Sequence, residues 1–204
     1  FPGNLDITVV YTFTNDNEFI IDYTATTDKK TLVNLTHHAF FSLSGLANPT
    51  ATIDNNIVTI NADYYTPINN VSIPTGEIAP VEGTPMDFRE KKNVGRDIEN
   101  DYKPLIDAGG YDHNWCLNNE REYKKVIELS SELSGLTMEV YTDLPGVQIY
   151  SGNFLKEELG KQGIVYKHRQ GICFETQHYP DAINHENFPS PVCKAGEIYK
   201  TRTT

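Results

Sequence analysis

The chain has 204 residues and a formal net charge of −11 at pH 7, enough length for one large all-β domain or two small ones with a sizeable core. Twelve Tyr and nine Phe, with many Thr, Val and Ile and turn formers at short intervals, suit pleated, half-buried surfaces better than helices. The 17 Lys and Arg are mostly scattered, so nucleic acid and anionic membrane surfaces are excluded as partners, whereas a neutral small ligand is compatible with the charge.

In chain order, Phe1-Pro2-Gly3-Asn4-Leu5 opens the sequence without an initiator Met and runs directly into a strand pattern. The expectation is a chain that begins inside a domain. Residues 5–14 and 18–26 alternate around Asn15-Asp16-Asn17, a hairpin signature. Residues 31–36 and 52–60 predict further strands. From about 62 to 120, Pro67, Pro74, Pro80, Pro85 and Pro104 with several glycines predict extended connections, with one short helix over 94–106. Residues 124–129 and 136–142 form a second hairpin pattern across Ser134-Gly135, and strands follow near 147–151 and 171–177. No repeat, low-complexity tract or linker divides the chain, so one β-sandwich-like domain over 1–204 is expected. No apolar run approaches the ~20 residues of a membrane span, and no signal-peptide pattern is present. Cys116, Cys173 and Cys193 form no C-x-x-C pair and read as buried small hydrophobes. Nothing in these residues fixes a compartment.

Four stretches carry candidate chemistry. Glu175 is a lone carboxylate among Cys173, Phe174 and Thr176; a partly desolvated carboxyl exchanges protons closer to neutral pH, although an edge-strand Glu facing water is the plain alternative. Of the adjacent His37 and His38, a strand would point only one into a given cleft, where an imidazole serves as proton donor or acceptor. No further metal-ligand spacing stands nearby. Gly109-Gly110-Tyr111-Asp112-His113-Asn114-Trp115 joins a permissive backbone to an acid and to aromatic rings of the type that stack on sugars; a turn capped by Asp112 is the alternative. Gln148, on a strand after Pro145-Gly146, either binds a hydroxyl or faces solvent. One His, one Asp, one Gln and one Glu suit proton transfers on a polyhydroxylated neutral molecule.

These motifs together resemble the aldose 1-epimerase (galactose mutarotase) family. The blocks run through the whole chain: Phe1-Pro2-Gly3; Asn34-Leu35-Thr36-His37-His38-Ala39-Phe40-Phe41-Ser42-Leu43; Tyr65-Thr66-Pro67 with Ile73-Pro74-Thr75-Gly76-Glu77; Gly110-Tyr111-Asp112-His113; Pro145-Gly146-Val147-Gln148 with Gly152-Asn153; and Glu175-Thr176-Gln177 with Pro180-Asp181-Ala182-Ile183-Asn184. The resemblance implies an antiparallel β-supersandwich with few short helices and no cofactor or metal. It also implies Glu175 as general base at the anomeric hydroxyl, His38 as general acid at the ring oxygen, and Asp112 and Gln148 as binders of an aldohexose such as galactose or glucose.

Departures from the family pattern are equally specific. His37 stands where the family has Asn, and Phe40 and Ser42 stand where it has Tyr and Asn. The family's N-terminal part supplies an Arg and a further His for which this chain offers no positions, so an N-terminally truncated site is expected, with association through exposed sheet edges. Two rivals accompany this reading. A non-catalytic carbohydrate-binding module would need a defect in the acid or base. A glycoside hydrolase would pair Asp112 with Glu175 and leave His38 without a role.

Overall fold

The computed structural model describes residues 1–45, 48 and 50–204. Two antiparallel sheets dominate. The larger runs, in spatial order, through Leu5–Phe13, Phe19–Thr27, Ile198–Thr203, Thr137–Thr142, Lys124–Ser130, Ile57–Ile60 and Lys92–Asn93. The second runs through Phe40–Phe41, Ile172–Gln177, Gly146–Tyr150, Asp112–Cys116, Tyr64–Thr66 and Ala79–Pro80. The all-β expectation therefore holds, with Lys103–Ala108 the one α-helix among the described residues.

Period-2 alternation builds the core. Val58, Ile60, Ile127, Leu129 and Val140 from the larger sheet share one buried cluster with Tyr65, Trp115, Val147, Ile149, Ile172 and Phe174 from the second. The register shifts between Lys125 and Ile127, which leaves Val126 as a bulge residue, and the extra residue lets Val126 and Ile127 both bury.

Both expected hairpins form, as Leu5–Phe13 with Phe19–Thr27 and Lys124–Ser130 with Thr137–Thr142. Three expectations need correction. Only Thr31–Leu32 of residues 31–36 is strand, paired to Val192–Cys193. Residues 52–60 divide into a 3-10 turn at Ile53–Asn55 and the strand Ile57–Ile60. The helix expected over 94–106 is a 3-10 turn at Val94–Arg96 followed by Lys103–Ala108. Pro104 explains the late start, because proline fits the first helical turn and disrupts an interior. Gly109 ends that helix at φ 67° and Gly110 follows at φ 138°, a path few other residues adopt. Asn153 anchors the turn, donating from Nδ2 to the carbonyls of Ala108 at 3.1 Å and Tyr111 at 3.0 Å.

Among the described residues the outer strand Leu5–Phe13 pairs on one side only, and Ile7, Val9, Tyr11 and Phe13 remain exposed along one of its faces. Beside it, a cavity of about 860 Å³ opens between the sheets, lined among others by Phe19, Ile21, His37, Met138 and Phe174.

Candidate active site

Register decides which side chains meet. On the second sheet, Gln148 lies opposite both Glu175 and Asn114, and Tyr150 lies opposite both Cys173 and Asp112. Side chains two apart share a face, so Asp112, Asn114, Gln148, Tyr150, Cys173 and Glu175 all stand on the face turned away from the core. The intervening Trp115, Val147, Ile149 and Phe174 fill the core on the other side. Glu175 belongs to an interior strand, with Gly146–Tyr150 on one side and Phe40–Phe41 on the other, so the edge-strand alternative is set aside.

All four expected site residues converge. The Nε2 of His38 lies 3.4 Å from Oε1 of Glu175. The Nε2 amide of Gln148 donates to Oδ1 of Asp112 at 2.8 Å, which removes both the solvated-Gln and the capped-turn alternatives. Half of the His38 side chain reaches solvent, 54% exposed, while that of Glu175 is 11% exposed: the pair has an open member and a sheltered one. Burial pushes the Glu175 carboxyl above its ordinary value, the nearby His38 opposes the rise and the negative charge of Asp112 reinforces it. Asp112 is raised as well, chiefly by burial, against the Gln148 hydrogen bond and the charge of His38.

The two histidines separate as adjacent residues should. His37 turns to the rings of Tyr11 and Phe19, with centroids 5.7 and 5.6 Å away, and its pKa is lowered by burial and by His38.

One expectation fails. Tyr111 and Trp115 offer no stacking surface, because both are fully buried, with the Trp115 indole N–H donating to the carbonyl of Met86 at 3.0 Å. The rings beside His38 are Phe40 and Tyr150, with centroids 5.3 and 6.0 Å from that of the imidazole. Strand parity held the signal: Asp112 and Trp115 are an odd number of residues apart and face opposite ways, whereas Tyr150 is two residues from Gln148.

The same face carries buried polar atoms that no protein group among the described residues satisfies: both amide atoms of Asn114, Oε1 of Gln148, Nε2 of Gln177 and Oγ1 of Thr66. Such atoms cost about 1–3 kcal/mol each when left alone, and they mark a face suited to a hydroxyl-rich ligand. The cavity between the sheets does not coincide with this cluster. Phe174 and Thr176, which line it, flank Glu175 and point to the opposite side of the sheet.

His38, Cys173 and Glu175 bring metal-ligand atoms within 4.8 Å of one another. As a cation cage the set is poorly arranged, since Nδ1 of His38 faces Cys173 at 3.4 Å and Nε2 faces Glu175. One imidazole cannot keep both contacts and also place a nitrogen on an ion between them. Burial further pushes the Cys173 thiol up, away from the thiolate that metals bind.

A sequence model of the aldose 1-epimerase family matches residues 1–204. The chain belongs to that family. This epimerase-family chain is 42% identical over 204 residues to the galactose mutarotase of Homo sapiens, covering 100% of the chain and 57% of that protein. It is 36% identical over 208 residues to the aldose 1-epimerase of Escherichia coli strain K12, covering 58% of it. Its structure superposes on the crystal structure of a GalM/aldose epimerase homologue from C. elegans with a TM-score of 0.86 at 28% identity, covering 99% of this chain and 59% of the other. The epimerase-family chain thus spans less than three fifths of the length of these relatives. No helix among its described residues is long and apolar enough to cross a membrane.

Proposed function

We propose that this chain carries the acid–base centre of an aldose 1-epimerase, acting on aldohexoses such as galactose and glucose. The observation that carries the reading is the His38–Glu175 pair, 3.4 Å apart on a polar sheet face, with the carboxyl sheltered and raised. The Glu175 carboxylate removes the proton from the anomeric hydroxyl while the His38 imidazolium gives its Nε2 proton to the ring oxygen. The C1–O bond of the ring breaks and C1 becomes a carbonyl. Rotation about C1–C2 presents the other carbonyl face, the ring oxygen adds back, and both protons return. One proton is accepted and one donated in each direction, so no redox partner is required. A carboxylate base with a raised pKa, facing an imidazole that can carry a proton on either nitrogen, is matched to such paired transfers. Asp112 and Gln148, already bonded to each other, bind sugar hydroxyls. Acid and base are both present and adjacent, so the binding-only module lacks the defect that it needs.

Polarimetry of freshly dissolved α-D-glucose and α-D-galactose tests the reading, on this chain and on any longer polypeptide that contains it. The expected result is weak or no acceleration by this chain alone and, for a longer polypeptide, decay faster than the spontaneous rate, abolished in Glu175→Gln. A longer polypeptide that leaves the spontaneous rate unchanged overturns it.

A further inference from the structure

Resting on the acid–base reading above, we propose that Cys173 is a positioning residue: its sulfur accepts a hydrogen bond from the Nδ1–H of His38 and so confines the transferable proton to Nε2. Register places it there. Cys173 is two residues from Glu175 on the same face and pairs with Tyr150 on one side and Phe40 on the other. It is fully buried, and its Sγ stands 3.4 Å from Nδ1, within reach for a sulfur acceptor. Sulfur thus sits behind the imidazole, Glu175 in front of it, and the rings of Phe40 and Tyr150 beside it.

The direction of the bond follows from the proton count. An imidazolium that gives up its Nε2 proton becomes neutral with hydrogen on Nδ1, so Nδ1–H must persist throughout the cycle. The reverse arrangement, a thiol donating to a bare Nδ1, leaves a neutral ring whose only hydrogen is on Nε2. Releasing that hydrogen would create an imidazolate. A buried thiol also keeps its own proton, so the partner of Nδ1 is neutral sulfur and not a carboxylate. A carboxylate there would stabilise the imidazolium and weaken it as an acid; sulfur orients the ring without that penalty.

The test uses the nitrogen chemical shifts of neutral His38 in long-range proton–nitrogen correlation spectra of 15N-labelled protein, for the native chain, Cys173→Ala and Cys173→Ser. The native protein is expected to show Nδ1–H, Cys173→Ala to lose that preference, and Cys173→Ser, whose hydroxyl also accepts, to keep it. Wherever the native protein turns over sugar, kcat should fall about tenfold in Cys173→Ala with KM changed less than about twofold, and recover in Cys173→Ser. Native His38 carrying its hydrogen on Nε2, or a tautomer or a kcat indifferent to Cys173→Ala, overturns the proposal. The spectra require no turnover, so a longer polypeptide with the expected tautomer and no mutarotase activity would overturn the functional reading while leaving the role of the sulfur standing.

Discussion

Glu175 is the residue on which chemistry and stability pull in opposite directions. Its raised carboxyl pKa, and that of Asp112, mean that the folded state favours their neutral forms. Their contribution to stability is present at low pH, below the ordinary carboxylate value of about 4.3, and is lost as pH rises through the raised native values. Glu175→Gln is therefore expected to melt at least about 2 °C above the native protein at pH 7, with the gap closing near pH 4, in paired thermal scans. The same substitution should slow mutarotation by roughly 10²–10⁴-fold, the range for loss of a general base. In the proposed mechanism the base is the carboxylate, so the acid limb of the pH–rate profile should lie above pH 4.3. A limb at or below that value would contradict the sheltered environment of Glu175.

At the scale of the element, the site is a product of register, and Gly146 shows how little slack the register leaves. A Cβ there would come within 2.5 Å of Asn114 Oδ1 and 2.8 Å of the Tyr179 ring, so Gly146→Ala should cost about 1–3 kcal/mol by overpacking, read as a lower urea midpoint with an unchanged slope. Elements with strong alternation, such as the two hairpins and Ile172–Gln177, were legible in the sequence because their own residues decide them. Thr31–Leu32 and Phe40–Phe41 were not, because two-residue strands exist only where a distant partner meets them. Asp112, Gln148, Glu175 and His38 were legible as chemical types and through the family motifs, and the fold pairs His38 with Glu175 and Gln148 with Asp112. Phe40 stands out in the sequence only as a departure from the family pattern, and Tyr150 and Cys173 read as ordinary strand residues until parity is counted outward from Gln148 and Glu175. Tyr111 and Trp115 show the reverse: they are close to Asp112 in sequence, but odd spacing along the strand turns them to the opposite, buried face.

For the molecule as a whole, the strand Leu5–Phe13 is the exposed flank. Ile7, Val9, Tyr11 and Phe13 keep from 39% to 79% of their surface in water, beside the open cavity between the sheets. An unprotected strand with an apolar face recruits other chains. Sedimentation velocity of this chain should accordingly show concentration-dependent association, suppressed in Tyr11→Lys/Phe13→Lys, which places charge on the outer strand. A single monomeric species across micromolar to millimolar concentrations would refute this.

His38 and Cys173 are 135 residues apart in sequence, and that distance has a meaning in time. At about 5–20 residues per second on a ribosome, His38 emerges roughly 7 to 27 s before the strand that bears its sulfur and its carboxylate. A nascent chain thus holds His38 long before Glu175 has been synthesised, and a ribosome stalled upstream of Ile172–Gln177 would present Phe40–Phe41 and Gly146–Tyr150 without the strand that lies between them.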